Sequence, residues 1–248
     1  MIINADMHIH SCLSPCGSLE MSPSVIVDNA VKAGLNLIAL TDHNTSLNCP
    51  TLKKICERRN DLKCFFGMEA TSIEEVHCLC LFDDLDASMD FSSFIYSCLP
   101  DIIHNPDKTG DQVFVDEDEN ILGEVEKLLL SATSLSTSEL LVEVHNRGGL
   151  FIPAHIEREA YSMTSQLGFL PVDDYDAIEL SKYFYKRNNP TELAGILNAE
   201  KYPQITNSDS HYPDGIGKAY FEIDLDEISI LAMKQALLKR NHKNLIFL

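Results

Sequence analysis

Basic side chains are scarce in this sequence. Nineteen lysines and arginines stand against 38 aspartates and glutamates in 248 residues, a formal charge of −19. Phosphate-rich polymers and anionic membranes are held by basic patches, so no stable nucleic-acid binding and no membrane partner are expected. A small phosphorylated substrate is still allowed, because bound divalent cations invert the local field. No apolar run approaches the roughly 20 residues of a bilayer span, and no signal peptide is expected ahead of the first strand. No cysteine occurs after residue 98; all eight (Cys12, Cys16, Cys49, Cys56, Cys64, Cys78, Cys80 and Cys98) precede residue 99. Free thiols in a reducing compartment fit this better than a disulfide framework, and a cytoplasmic location is expected. Repeats, low-complexity linkers and breaks in composition are also missing. One domain over residues 1–248 is therefore the economical reading, and 45% hydrophobic content suffices for a large core. Nothing here indicates an oligomeric state.

What is present is an alternation of strand and helix patterns. The first strand, DMHIHS (6–11), places Asp6, His8 and His10 on one face and Met7 and Ile9 on the other, since strand side chains alternate. Ser22 caps a helix whose first turn holds Pro23 and which Gly34 ends. LNLIAL (35–40), CFFGMEAT (64–71), EVHCLCLF (75–82), LFIPAH (150–155), AIEL (177–180), QITNSDSH (204–211) and NLIFL (244–248) read as further strands. Helices are predicted at 51–59, within 83–100, at 123–132 and at 136–147, the last opened by Ser136 and Glu139 as a capping box. Residues 104–123 read as an inserted acidic loop with QVFV as one strand of a hairpin, its charges a solvated face. The alternation points to an α/β fold with a parallel sheet, doubly wound or barrel-shaped.

Two imidazoles two residues apart on a strand can converge on one ion at roughly 2.0–2.1 Å. A lone HxH is more often an ordinary surface feature. Here, however, six of nine histidines sit at or just after predicted strand ends: His8, His10, His43, His77, His155 and His211. Glu69 and Asp209 do the same, and ligands of parallel α/β folds gather outside the carboxyl ends of strands. Packing alone does not account for so many metal-ligand types in such positions. Asp6 and Asp42 are candidates to orient ligating histidines. His104, His145 and His242 fall in a loop, a helix and a terminal turn, and read as structural.

The ordered set DMHIHS, TDHN, GMEAT, EVHCL, IPAH and NSDSH resembles the motif series of the PHP family, named for polymerase and histidinol phosphatase. The resemblance runs from residue 2 to about residue 217. It implies a distorted (β/α)7 TIM-like barrel with a site of two to three divalent ions (zinc, iron or manganese) at the C-terminal rim, hydrolysing phosphoesters. By motif position, His8, His10, Glu69 and Asp209 would hold the first ion. Glu69 would bridge to a second held by His77 and His155, and His43 and His211 would hold a third. In the family another His or Asp usually completes the third site. Here Cys16 stands in that place; as a thiolate it would favour zinc or iron, and as a packed thiol it would do nothing. The expected chemistry is attack by activated water, with Glu69 and Asp209 at the reacting centre and Arg158 gripping the phosphate. A metal-dependent amidohydrolase is a second reading, although its usual bridging lysine is missing from the predicted strand ends. A metal-binding module without catalysis is a third.

Overall fold

The computed structural model describes residues 1–184, 195, 196, 198–239 and 242–248. Its strands are β1 (Ile2–Ile9), β2 (Leu37–Leu40), β3 (Lys63–Thr71), β4 (His77–Phe82), β5 (Val113–Val115), β6 (Ile121–Glu124), β7 (Leu150–Pro153), β8 (Ile178–Leu180), β9 (Gln204–Thr206), β10 (Ala219–Asp224) and β11 (His242–Phe247). Its helices are α1 (Pro23–Lys32), α2 (Cys49–Glu57), α3 (Leu85–Cys98), α4 (Pro106–Thr109), α5 (Thr137–Asn146), α6 (Met163–Leu167) and α7 (Ile230–Leu238). Seven strands form a curled sheet in the order β11-β10-β1-β2-β3-β4-β7.

β1, β2 and β3 are parallel, as the alternation with α1 and α2 requires. β4 is antiparallel to both β3 and β7, which departs from an all-parallel sheet. The reason is connection length: the stretch 72–76 is too short for the crossover of about a dozen residues that parallel neighbours need. The parallel pair β8–β9 closes the gap between β7 and β1. On one side Ile156 donates its backbone N–H to the Glu179 carbonyl at 3.0 Å, and Asp176 to that of Phe151 at 3.1 Å. On the other, His10 donates to the Ser210 carbonyl at 2.9 Å. The result is a distorted barrel of β1, β2, β3, β4, β7, β8 and β9, with β4 reversed.

One buried cluster joins Ala5, Met7, Leu37, Ala39, Phe65, Leu79, Ile152 and Ile205 and extends to α7 through Met233 and Leu237. The opposite strand faces carry α1 and α2 on Ile9, Ile38, Leu40 and Phe66, and α3 and α5 on Cys78, Cys80, Phe82 and Phe151. Helix starts follow the expected chemistry. The Ser22 hydroxyl accepts from Val25 N–H, and Ser136 and Glu139 form the reciprocal capping box. All eight cysteines are free. No helix among the described residues is long and apolar enough to cross a membrane.

Residues 123–132 are not a helix, contrary to their apolar spacing. The fully buried Gln112 takes the backbone groups a helix would have used. Its amide donates to the carbonyls of Val125 and Lys127 at 3.1 and 2.9 Å, and its oxygen accepts from Leu129 N–H at 2.8 Å. The acidic insertion does contain a hairpin, β5–β6, whose first strand lies within QVFV. β10, α6 and α7 were not read from the sequence, although Ala219, Phe221 and Ile223 alternate inward as a period-two signal.

Gly67 in β3 lies so close to β4 that a Cβ there would stand 2.1 Å from the Cys80 carbonyl oxygen. Two strands can approach this far only without a side chain. Gly67→Ala is therefore expected to destabilise the fold by roughly 1–3 kcal/mol, the usual range for overpacking. Urea unfolding checks this; an unchanged midpoint would mean that β3 and β4 separate freely.

Candidate metal centre

One rim of the barrel collects the polar side chains. His8 and His10 lie at the end of β1, His43 follows β2, and Glu69 sits in β3. His155 follows β7, while Asp209 and His211 follow β9. His77 opens β4, and joins the same rim because β4 runs backwards. His155 and Asp209 have positive φ, 30° and 47°. Such backbone costs an L-residue about 1–3 kcal/mol and persists where the surroundings enforce it. Both side chains point into the cluster.

β1 is not regular where it matters. Its pairing with β2 shifts register between Asp6 and Ile9. Ile3, Ala5 and Met7 consequently share one core cluster, while Ile9 packs in the other. The face shared by Asp6, His8 and His10 in a regular strand is thereby broken, as irregularities of this kind re-aim side chains. Asp6 is not the partner of His8. It accepts instead from the backbone N–H of Ser208 and Gly217 at 3.0 and 3.1 Å, tethering the segment that carries Asp209. Burial pushes its carboxyl up to about 6, against those hydrogen bonds.

The partner of His8 is Glu179 in β8, which sequence reasoning missed. His8 Nδ1 lies 3.1 Å from both Glu179 oxygens. The same carboxylate accepts from His155 N–H at 2.9 Å and from the Asn207 amide at 2.8 Å. His10 is oriented by a chain: its Nδ1 lies 2.9 Å from Ser14 Oγ, which donates to Asp42 Oδ1 at 2.6 Å. Asp42 also accepts from Ser11 N–H and Oγ at 2.7 and 2.6 Å. Both Nδ1 atoms are thus donors, which leaves Nε2 as the atom each neutral ring offers to an ion. Those two nitrogens face each other across 3.2 Å.

Five imidazoles present a ring nitrogen to Glu69. His77 Nδ1, His155 Nε2 and His8 Nε2 stand 2.9, 3.1 and 3.3 Å from Oε1. His43 Nδ1 and His10 Nε2 stand 3.2 and 3.4 Å from Oε2. Asp209 Oδ1 lies 3.5 Å from the Nε2 atoms of both His8 and His10. His211 stacks on His10 at 4.0 Å between ring centroids. Burial pushes the Glu69 carboxyl up, but His77, His8 and the hydrogen bonds of His10 and His155 outweigh it and hold it well below the usual range. Asp209 is held down in the same way, burial being overcome by His8 and His10. Burial and the neighbouring His10 hold His43 far below its ordinary value, and push His211 down to about 3. Burial pushes His8 and His10 down as well, but Glu69 and Asp209, with Glu179 beside His8, outweigh it and hold both above their ordinary value, so positive charge gathers beside the inner carboxylates.

This donor set fits metal ions. These atoms stand 3.2–3.5 Å apart, and four ligands at roughly 2.0–2.1 Å from one ion stand about 3.3 Å apart. Mixed imidazole and carboxylate donors suit divalent transition ions. Three donor groups meet within 4.8 Å: His8, His10 and Glu69; His43, Glu69 and His77; and His10, His43 and His211. Cys16, His155 and Asp209 belong to none of them, although His155 and Asp209 touch Glu69, His8 and His10 directly; Cys16 does not lie within the cluster. It is exposed and lines a cavity of about 370 Å³ beside the cluster, together with Arg158, Lys182, Asp209, His211 and Tyr212. Arg158 Nη1 donates to Asp209 Oδ2 at 2.8 Å, and its side chain remains 43% exposed, so its other N–H groups face outward. His104 and His145 are elsewhere, on the Gly110 carbonyl and on Asp176. The side chain of His242 lies outside the described residues.

Solved structures share this fold. The lesion-specific endonuclease EndoQ from Pyrococcus furiosus aligns with a TM-score of 0.65 at 19% identity, covering 96% of this chain and 56% of the other. An Endonuclease Q complex with a 27-mer duplex substrate, an abasic lesion at its active site, gives 0.65 and 19%, covering 96% and 57%. A putative metal-dependent phosphoesterase from Bifidobacterium adolescentis gives 0.59 and 20%, covering 96% of each chain. The chain thus spans little more than half the length of the endonucleases. No curated protein matches the sequence significantly. The duplex-bound relative overturns the expectation, drawn from net charge, of a small substrate and no nucleic acid. Net charge averages over a whole surface, whereas a phosphate is met by local cations. The PHP domain matches residues 6–246, and the chain belongs to that family of metal-dependent hydrolases acting on ester bonds.

Proposed function

We propose that this protein hydrolyses phosphoesters carried by nucleotides or nucleic acid, using two to three divalent ions of zinc, iron or manganese. The observation that carries the reading is the buried Glu69 carboxylate with five imidazole nitrogens within 2.9–3.4 Å. His8, His10, Glu69 and Asp209 would hold one ion, with Glu69 shared by a second at His77 and His155. His43 and His211 would serve a third. Bound there, the ions supply activation of water near neutral pH and neutralisation of phosphoryl charge. The chain's own residues do the rest. Glu179 and the Ser14–Asp42 pair fix the imidazole tautomers, and Arg158 offers the N–H groups that Asp209 does not use to a phosphoryl oxygen. Asp209 in turn holds the guanidinium at the mouth of the centre.

The test is a metal-replete activity screen across phosphomonoesters, phosphodiesters, nucleotides and oligonucleotides, including a duplex with an abasic site, with elemental analysis of the purified protein. Chelator-sensitive turnover of at least one class is expected. Protein that takes up no metal, or turns over no phosphoester when loaded, would sink the proposal.

Cys16 gives a further prediction. Because Cys16 is exposed at the cavity beside the cluster rather than buried within it, Cys16→Ser is expected to retain the full metal content, and alkylation of Cys16 should proceed equally with and without chelator. Loss of about one ion per chain would make Cys16 a ligand after all.

A further inference from the structure

We infer that the cavity beside the metal centre receives a nucleotide unit, with Tyr212 as the platform for its base and Lys182 as a contact for its phosphate. This rests on the phosphoester reading and deepens it. Tyr212 immediately follows His211, whose ring stacks on His10. Its backbone is fixed: the carbonyl accepts from Ser210 Oγ at 2.7 Å and from Gly215 N–H at 3.0 Å. Its side chain, by contrast, has no hydrogen bond and no ring or cation contact among the described residues, and the residue is 59% exposed. A large ring on a fixed backbone one residue from the reacting centre has only its side-chain rotamers left to order on binding. Such rings carry bases by stacking, with little regard to sequence.

Lys182 stands across the same cavity. Its ammonium lies 3.3 Å from the Asp209 carbonyl and 5.4 Å from the centroid of Tyr183. The carbonyl of Asp209 and the side chain of Asp209 therefore each hold one cation, Lys182 and Arg158. Glu157 fixes that arrangement by accepting from Ser181 N–H at 3.0 Å and from the Ser181 hydroxyl, which ties the loop bearing Arg158 to the loop bearing Lys182. A second cavity of about 350 Å³ shares Lys182, Tyr183 and Asp214 with the first and adds Lys218. Cations and tyrosines thus line two adjoining cavities in a chain whose formal charge is −19. Asp214 borders both and disfavours a phosphate next to it, which leaves the phosphate positions to Arg158, Lys182 and Lys218. A space of this size is at the lower end of ordinary ligand pockets, enough for one nucleoside, and the second cavity gives a neighbouring unit somewhere to go.

The metal-loaded protein is to be photocrosslinked to short oligonucleotides bearing 5-iodouracil and phosphorothioate linkages, and the adduct mapped by mass spectrometry. Attachment within the peptide containing Tyr212 is expected. In parallel, kcat/KM is measured for an oligonucleotide, a mononucleotide and methyl phosphate. Tyr212→Ala should lower the ratio of nucleotide to methyl phosphate by about ten-fold, mainly through KM, while Tyr212→Phe preserves it. Lys182→Met should flatten the salt dependence of oligonucleotide binding by about 0.7 in log–log slope, and Lys182→Arg should restore it. Tyr212 dependence shared by mononucleotide and strand identifies a free nucleotide as sufficient; dependence confined to the strand identifies nucleic acid. Ratios to methyl phosphate left unchanged by Tyr212→Ala for both the mononucleotide and the oligonucleotide, or crosslinks mapping elsewhere, would overturn the inference. Turnover of methyl phosphate with no role for Tyr212 spares the phosphoester reading. Crosslinking at Tyr212 without turnover of any phosphoester spares the nucleotide site and removes that reading.

Discussion

Glu69→Gln is expected to cost at least about 100-fold in turnover, on the scale of losing one strong electrostatic element, and to empty more than one metal position. The substitution keeps the shape and removes the charge. Both oxygens of Glu69 are committed, Oε1 to His8, His77 and His155 and Oε2 to His10 and His43. An amide presents one acceptor and one donor, so its NH2 group would point at imidazole nitrogens whose lone pairs are needed for ligation. The surrounding histidines would remain packed, and the fold should persist. Elemental analysis and turnover of the same preparation decide the matter. A Glu69→Gln enzyme with normal metal content and normal rate would remove the carboxylate from the centre of the scheme.

Glu179→Ala comes next in expected effect. The side chain touches no ion in the proposed scheme, yet it holds three pieces of the rim: His8 through Nδ1, the backbone of His155, and the Asn207 amide. Losing an outer partner of a ligating histidine typically costs 10–100-fold in metal affinity or activity. Here the loss should sit towards the upper end, since His155 is held in a strained backbone conformation, φ 30°, that Glu179 helps enforce. Competition with a chelator of known affinity measures the change. Glu179→Gln should recover part of it, because an amide oxygen still accepts from Nδ1. Wild-type metal affinity in Glu179→Ala would show that His8 is oriented without it.

The cluster was legible in the sequence where chemistry and period coincided. His8, His10, His43, Glu69, His155, Asp209 and His211 each fall at the end of a short apolar run, and the order of their motifs resembles one family. His77 was found for the wrong geometric reason, since it begins its strand. Asp6 was misassigned because a period-two reading assumes an unbroken strand, and the register shift in β1 is set by pairing with β2. Glu179 was missed because AIEL reads as buried apolar strand. The signal was there, for a carboxylate inside such a run is almost never buried without a partner. The false helix at 123–132 failed through Gln112, whose amide competes for the backbone from outside the segment, so no local propensity could reveal it. The exclusion of nucleic acid failed because a sum of charges carries no positions.

β1 is paired on one side with β2, soon to be synthesised, and on the other with β10, more than 200 residues later. His8 and His10 leave the ribosome about 200 residues ahead of Asp209 and His211. At about 5–20 residues per second the interval is roughly 10–40 s. Throughout it the proposed HxH ligand pair would lack its carboxylates, and an isolated imidazole pair favours whichever ion stands highest in the affinity series. The donor set is complete only once these two distant segments have met. In the proposed scheme, metal identity would then be set by exchange once these segments have joined, from the ions available at that moment.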